Sequence, residues 1–276
     1  MNQRAGIAAL SLLLLSMLPN VAAGEGKITE FYVAPTFTSF TWKESNSSGG
    51  RLVKESGPLY GLRSGIRAVP VQGEGGDLTL SGVLELFGGV VRYDGEQNLT
   101  NLPVSTDVDY FGTRLGFDAG WGLPLYGSTL GPFAGFTYRF WVRSLNDAST
   151  VDSNGNRVPV SGTTEYWNDL GTRLGGRWSD IGIVAGGKLF LEGGAQYSLY
   201  TGTTFDTGYG TSTLEPRGIV SPFAEAGLRF QRLRIALTYE EKRYGVSPSI
   251  IAGQYKYYQP ASVGEYLGLS VGYCFR

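Results

Sequence analysis

The stretch GEYLGLSVGYCFR, Gly264 to Arg276, carries the pattern that decides how the rest of the chain is interpreted. Successive side chains of a β-strand point to opposite faces, so alternation of apolar and small or polar residues predicts a strand with one apolar face. That face must be covered by a protein core or by lipid. The apolar positions are Leu267, Leu269, Val271, Tyr273 and Phe275, and Gly268, Ser270, Gly272 and Cys274 stand between them.

The composition favours strands and turns over helices. The 276 residues include 42 Gly, 17 Tyr and 14 Phe, and only 17% of the chain is charged. A net charge of -1 gives no basic excess for binding phosphates, so we expect no nucleic-acid partner. The single cysteine, Cys274, excludes an internal disulfide.

Residues 1–23 predict a cleavable secretory signal peptide. Arg4 supplies the positive start, an uncharged run follows from Ala5 to Leu18, and Val21 and Ala23 fit the small residues of a cleavage site. The run is too short for a membrane-spanning helix, which needs about 20 apolar residues. Residues 24–276 are then the exported protein.

Alternation of period two recurs in ten segments, with an uncertainty of one hairpin: 27–42, 57–69, 77–93, 108–120, 130–145, 163–176, 185–203, 217–230, 233–245 and 264–275. Long and short connections alternate between them, as they do between the outer loops and periplasmic turns of transmembrane barrels. The prediction is an all-β fold, a closed antiparallel transmembrane β-barrel of about ten strands, with eight or twelve as alternatives. The long outer loops fall near 43–56, 94–107, 146–162, 204–216 and 246–263.

The strands of a soluble β-sandwich would also alternate apolar and polar residues. The charged residues on the polar faces distinguish a sandwich from a membrane barrel. Equal numbers of Arg and acidic residues, with no Lys among them, favour buried ion pairs inside a closed wall over a solvated face. We therefore predict a lumen network. Its members are Arg63, Arg67, Arg114, Arg139, Arg143, Arg173, Arg229 and Arg234, with Glu30, Glu85, Asp118, Glu165, Asp169, Glu192, Glu225 and Glu240.

The stretch 264–276 resembles the C-terminal insertion signal of bacterial outer-membrane proteins. That signal is a final strand of alternating apolar residues with Tyr near its end and an aromatic at the terminus, here Tyr273 and Phe275; Arg276 departs from the pattern. The resemblance implies location in the bacterial outer membrane, contact with outer-membrane lipid, and the barrel-assembly machinery as a partner.

The chain contains no His, and the known outer-membrane barrel enzymes, proteases among them, rely on one. Without His there is no ordinary general base near neutral pH, so we predict that the chain is not an enzyme and holds no metal or cofactor. Catalysis by carboxylates stays open as an alternative, with Glu240 beside Glu241 or Glu165 with Asp169. The segment Asp152 to Arg157 is interpreted as a turn at a loop tip, because it lacks the later acidic ligand of a calcium loop.

Two further functions remain from the sequence. Ten strands lie near the size at which side chains fill a barrel, so we expect a largely plugged lumen and keep a narrow pore for small solutes as the alternative. A structural or adhesin-like role would place function on the outer loops. The residues predicted to contact a surface ligand are Ile250, Ile251, Tyr255, Tyr257 and Tyr258.

Overall fold

The computed structural model describes residues 27–96, 102–152 and 154–275. The predicted signal peptide, residues 1–23, and Arg276 lie outside these residues. The described part of the chain contains no helix long and apolar enough to cross a membrane.

Strands account for most of the described residues, and sixteen are present. They are β1 Lys27–Ser45, β2 Arg51–Gly73, β3 Gly76–Glu96, β4 Pro103–Leu125, β5 Ser128–Leu145, β6 Ala148–Val151, β7 Arg157–Val160, β8 Thr164–Val184, β9 Gly187–Asp206, β10 Thr211–Leu214, β11 Gly218–Ile219, β12 Ser221–Arg229, β13 Leu233–Tyr244, β14 Ile250–Ala252, β15 Tyr255–Tyr257 and β16 Ala261–Phe275.

Ten of these strands close into a barrel, in the order β1, β2, β3, β4, β5, β8, β9, β12, β13 and β16. Each pairs antiparallel with the next, and β16 returns to β1, from Phe31 opposite Phe275 to Ser45 opposite Ala261. The short β10 and β11 extend the same sheet, while β6–β7 and β14–β15 form separate hairpins. The prediction of a closed ten-stranded antiparallel barrel is confirmed.

The closing strand β16 shows what covers the apolar face of the stretch quoted above. Its large apolar residues, Leu267 to Phe275, are exposed on the outer wall, whereas Ser270 and Cys274 are buried inside. A closed barrel leaves no unpaired strand edge, which is the condition for crossing hydrocarbon with strands. The apolar stripe therefore faces lipid.

An apolar belt runs around the outer wall, formed by outward side chains of every barrel strand, with Phe37, Leu62, Leu84, Phe111, Phe136, Leu174, Leu199 and Leu237 among them. Such a belt is about 25 Å tall in membrane barrels. The 23 residues of β2 extend about 75 Å at 3.3 Å per residue, which a tilt of about 40° reduces to roughly 55–60 Å along the barrel axis. The strands therefore continue well beyond the hydrocarbon.

The strands extend beyond the apolar belt at the end of the barrel that has the long connections, which we call the outer end. Beyond the belt the outward side chains become charged, as in the ion pairs Lys43–Glu265 and Arg92–Asp107. The opposite, periplasmic end holds both ends of the described chain and the tight turns, such as the one at Tyr126 and Gly127 with positive φ.

The predicted loop boundaries need correction, because the sheet extends into the predicted loops. The loop placed at 43–56 is a turn between Ser45 and Arg51, in which the Asn46 side chain accepts hydrogen bonds from the N–H groups of Ser48 and Gly50. In the region 94–107, β3 continues to Glu96 and β4 begins at Pro103. The regions 146–162 and 246–263 contain hairpins, and β9 and β10 occupy much of 204–216.

The physical reason is that above the membrane both faces of a strand can be polar. The alternation of apolar and polar residues then disappears while the hydrogen-bond ladder continues. Lys54 opposite Asp94 and Asp107 opposite Arg92 are such pairs of polar residues within the ladder.

Candidate functional site

The inward side chains form three layers of ion pairs along the lumen, which we define by their contacts. The outer layer contains Glu55, Arg143 and Glu165, together with Glu44, which is influenced by their charges without forming an ion pair. The middle layer contains Glu85, Arg114, Arg139, Asp169, Glu240 and Lys242. The periplasmic layer contains Glu30, Arg63, Arg67, Asp118, Arg173, Arg177, Glu192, Glu225, Arg229 and Arg234.

The middle layer is centred on Glu240 of β13. Its Oε2 accepts hydrogen bonds from Arg114 and, at 2.9 Å, from Nη2 of Arg139. The Glu240 carboxylate thus joins guanidinium groups from two other strands, β4 and β5. Arg114 also pairs with Glu85 at 2.7 Å. Nearby, Asp169 accepts a hydrogen bond from the Tyr244 hydroxyl at 2.7 Å and pairs with Lys242 at 3.1 Å.

The periplasmic layer joins arginines through shared carboxylates. Arg173 and Arg177 both pair with Asp118 and Glu192, at 2.7 Å for Arg177 and Glu192. Aromatic rings lie against several of the guanidinium groups, as Tyr32 and Phe190 do against Arg234, with ring centroids 4.3 and 4.6 Å from its Cζ. Such ring contacts add to the ion pairs in this part of the barrel.

The outer layer has more carboxylates than cations. Arg143 is its one cation among the described residues, and it pairs with Glu55 and, at 2.8 Å, with Glu165. Glu44 accepts hydrogen bonds on Oε1 from Trp42 Nε1 and from Gln259 Nε2, both at 2.9 Å.

Glu44 lies beyond the apolar belt and is nonetheless buried. Burial is the main reason that its pKa is raised above the ordinary value of 4.5; Arg143 opposes this shift, and Glu165 and Glu55 add to it. A carboxyl with a raised pKa binds its proton more tightly in the folded state, so its favourable contribution is present at low pH and is lost as pH rises above the ordinary value.

We therefore expect Glu44→Gln to raise the melting temperature at pH 8 and to change it much less at pH 5. The amide keeps the oxygen that accepts the Trp42 and Gln259 bonds and removes the buried charge. Thermal unfolding in detergent micelles at the two pH values measures the difference. A variant that melts like the parent at both pH values would contradict a buried Glu44 that resists ionisation.

A cluster of aromatic side chains lies inside the barrel at the level of the outer layer. Trp167 is 1% exposed and stacks on Trp141 with centroids 5.1 Å apart and planes 12° apart. Trp42 meets the same ring edge-on at 5.4 Å, and Tyr244 lies 6.1 Å away. Trp167 Nε1 also donates to Glu165 at 2.9 Å, which connects the aromatic cluster to the ion pairs.

All sixteen residues predicted for the lumen network form ion pairs within these layers. The sequence prediction missed Glu44, Glu55, Arg177 and Lys242. Lys242 corrects the inference that the lumen cations are arginines alone: its side chain is 3% exposed and paired with Asp169. It could have been found from the spacing, because it stands two residues after Glu240 on the same face of β13.

The predicted contact residues of the last loop lie on the hairpin β14–β15 and just after it. Ile251 is 81% exposed and Tyr258 47%. Tyr255 packs 6.4 Å from Tyr209, which is itself exposed. Tyr257 is paired with Ile250 in the hairpin, and its ring centroid lies 5.8 Å from that of Phe205 of β9. Two neighbouring outer loops therefore share one aromatic surface.

The carboxylates considered for catalysis lie apart or are already paired. Glu240 points into the lumen, whereas Glu241 accepts hydrogen bonds from Tyr239 and Arg243 on the outer wall. Glu165 belongs to the outer layer and Asp169 to the middle layer.

The structure also places the predicted loop tip and bears on metal binding. Asp152 accepts hydrogen bonds from the N–H groups of Asn154 and Asn156, which forms an Asx turn at the predicted loop tip. Bonds from Asn156 are the main cause of the lowered pKa of Asp152. Among residues 27–96, 102–152 and 154–275, no three His, Cys, Asp or Glu side chains are arranged to hold a metal ion.

The barrel is similar to solved outer-membrane structures. The outer membrane protease OmpT from Escherichia coli superimposes with a TM-score of 0.52 at 11% identity, over 90% of this chain and 97% of that one. The transport unit of the autotransporter AIDA-I from Escherichia coli gives 0.49 at 13% identity, over 90% and 91%. The translocator domain of the autotransporter NalP from Neisseria meningitidis gives 0.40 at 15% identity, over 98% of both chains. No protein-family model and no curated protein matches the chain.

The similarity to OmpT overturns the prediction that the chain is not an enzyme. That prediction depended on the missing His, yet a barrel with the same fold is a protease. At 11% identity the likeness shows the fold alone and transfers no catalytic residue.

The fold and the apolar belt confirm that the chain is a bacterial outer-membrane β-barrel protein.

Proposed function

We propose that this outer-membrane β-barrel acts at the cell surface, where the aromatic surface shared by its last two outer loops binds a partner above a lumen plugged by ion pairs. The observation that carries the proposal is the exposure of large apolar side chains on β14–β15 and the neighbouring loop, beyond the reach of the membrane.

The binding surface, which we call the rim surface, consists of Phe205, Tyr209, Ile250, Ile251, Tyr255, Tyr257 and Tyr258. Tyrosine offers a large contact area with few rotatable bonds and a hydroxyl for hydrogen bonding, so it is favoured in binding surfaces. Contacts between the two loops hold the side chains in place before a partner arrives. Preorganisation of this kind reduces the entropic cost of association.

The state of the lumen supports a surface role over transport. Ion pairs cross the barrel at three levels: Arg143–Glu55 in the outer layer, Arg139–Glu240 in the middle layer and Arg63–Glu225 in the periplasmic layer. The aromatic cluster around Trp167 lies at the outermost level. A cavity in the middle layer, between Glu85, Arg114 and Tyr266, has a volume of only about 40 Å³. This space is too small to serve as a water-filled channel by itself.

A narrow pore is the second candidate. A larger cavity at the periplasmic end, of about 270 Å³, favours it, because widening of the middle layer would extend this space along the lumen. Current through a planar bilayer separates the two candidates.

The surface role is tested with cells that display the protein. We expect such cells to be retained on immobilised extracellular-matrix proteins or on a glycan array, and the double variant Ile251→Ser, Tyr258→Ser to lose about tenfold or more of that retention. The matched control is Val151→Ser, which replaces an exposed apolar residue on the separate hairpin β6–β7.

Display levels are equalised with an antibody against an added tag. Retention that is unchanged in the double variant, or reduced equally by Val151→Ser, would contradict a role for the rim surface. Absence of retention of the wild type on every surface would contradict the surface role itself.

A further inference from the structure

The cavity of about 270 Å³ lies at the periplasmic end of the lumen, apart from the rim surface. Its position follows from lining residues next to the tight turns, Gln72 before the turn from β2 to β3 and Thr129 after the turn from β4 to β5. Pockets for drug-sized ligands begin near 300 Å³, so this cavity suits a smaller ligand.

Three arginines line the cavity, and one of them is poorly neutralised. Arg177 has Glu192 at 2.7 Å, and Arg229 has Glu30 at 3.0 Å. Arg67 has only Glu30 within 4.0 Å among the described residues, and the distance is 3.8 Å.

Glu30 cannot satisfy Arg67, because two other guanidinium groups occupy it. Arg229 lies 3.0 Å and Arg234 3.2 Å from its carboxylate oxygens. Arg229 is also paired with Asp180 and Arg234 with Glu225, so Arg67 is the one of the three arginines without a second carboxylate among the described residues. The Nε of Arg67 is buried with no hydrogen-bond partner in the described structure, and its Nη1 reaches Ser179 Oγ at 3.4 Å.

We propose that Arg67 binds a phosphate group in this cavity. A guanidinium group with unused N–H donors matches the oxygens of phosphate, and burial strengthens such charge-assisted hydrogen bonds. Thr129 and Ser179 also line the space, and their hydroxyl groups supply further donors, whereas Thr29 and Thr79 donate to the backbone carbonyls of Arg67 and Gly120.

Two carboxylates, Asp77 and Asp180, also line the cavity, and they distinguish a phosphate site from a site for a cation or a zwitterion. Asp180 is paired with Arg229 at 2.5 Å. Asp77 has no Lys or Arg nitrogen within 4.0 Å in the described residues, so its charge remains and repels a bound anion. A phosphate site consequently binds more tightly without the charge of Asp77, whereas a site for a cation or a zwitterion binds more weakly.

The test titrates inorganic phosphate into the folded protein in a non-ionic detergent, by calorimetry and by its effect on the melting temperature. We expect saturable binding that raises the melting temperature, as any ligand of the folded state does. Arg67→Gln should weaken binding about tenfold or more, and Asp77→Asn should tighten it about threefold or more. Arg92→Gln, a half-exposed arginine on the outer wall, is the matched control and should leave binding unchanged.

Asp77→Asn keeps the proposal testable if Arg67→Gln does not fold, because the substitution leaves every ion pair of the layer in place. Dihexanoyl phosphatidic acid serves as a second probe. Tighter binding of this lipid than of inorganic phosphate supports a lipid headgroup as the source of the phosphate, and equal binding supports a free phosphate. Absence of saturable binding by both probes, or weaker binding after Asp77→Asn, would overturn the proposal.

Discussion

Replacement of Glu240 with alanine is expected to lower the free energy of unfolding by about 3–5 kcal/mol, the usual cost of removing one partner from a buried ion pair. Glu240 joins Arg114 and Arg139 across the middle layer, and the Arg139 side chain is only 6% exposed. Without the carboxylate Arg139 loses its ion-pair partner and Arg114 keeps only Glu85, in a part of the barrel that water reaches poorly. Gln196 would also lose its bond to Oε1.

The matched control is Glu265→Ala, because Glu265 also belongs to an ion pair, with Lys43 at 2.9 Å. These side chains are 39% and 44% exposed on the outer wall, so we expect a loss of about 1 kcal/mol or less. Urea unfolding in detergent micelles, followed by tryptophan fluorescence, gives both values. Equal losses for the two variants would show that the middle layer adds no more stability than an exposed ion pair.

Replacement of Trp167 with alanine is the second change with a large expected effect, about 3–5 kcal/mol for the loss of a buried tryptophan. The indole is in contact with Trp42, Trp141 and Tyr244, and it holds Glu165 through Nε1. The substitution leaves a cavity within the aromatic cluster and removes a hydrogen bond from the outer layer.

Trp178→Ala provides the comparison, since Trp178 is 36% exposed and its Nε1 donates to Ser128 on the outer wall. We expect this change to cost much less than the change at Trp167. The same urea unfolding experiment ranks the two, with fluorescence replaced by heat-modifiable gel migration because each variant loses a fluorophore. A greater loss for Trp178→Ala would contradict the placement of the stabilising contacts inside the barrel.

The fold could be predicted from the sequence because the membrane imposes a regular pattern. Within the apolar belt one face of each strand contacts hydrocarbon, so a period of two is obligatory and stretches such as Leu267 to Phe275 are easily recognised. Above the belt this constraint ends. The pattern therefore predicts a loop at Glu55, although this residue lies in β2 and pairs with Arg143 inside the barrel.

The lumen network could be predicted as a set of residues but not as a set of pairs. Alternation places Arg114 and Glu240 on inward faces, whereas their contact joins residues 126 positions apart and depends on barrel closure. The cavity beside Arg67 was missed for the same reason. Its lining comes from several strands, and the absence of a second carboxylate beside Arg67 becomes visible only in three dimensions.

The proposal of a plugged lumen is tested most directly by ion current through the wild-type protein in a planar lipid bilayer. Salt screens the buried ion pairs of the three layers only weakly, so these pairs should persist in the electrolyte and keep the lumen closed. We predict no unitary conductance steps above those of a protein-free membrane, with insertion verified by heat-modifiable migration of protein recovered from the same preparation. Stable unitary steps from the folded wild type would contradict a closed lumen and favour the narrow pore.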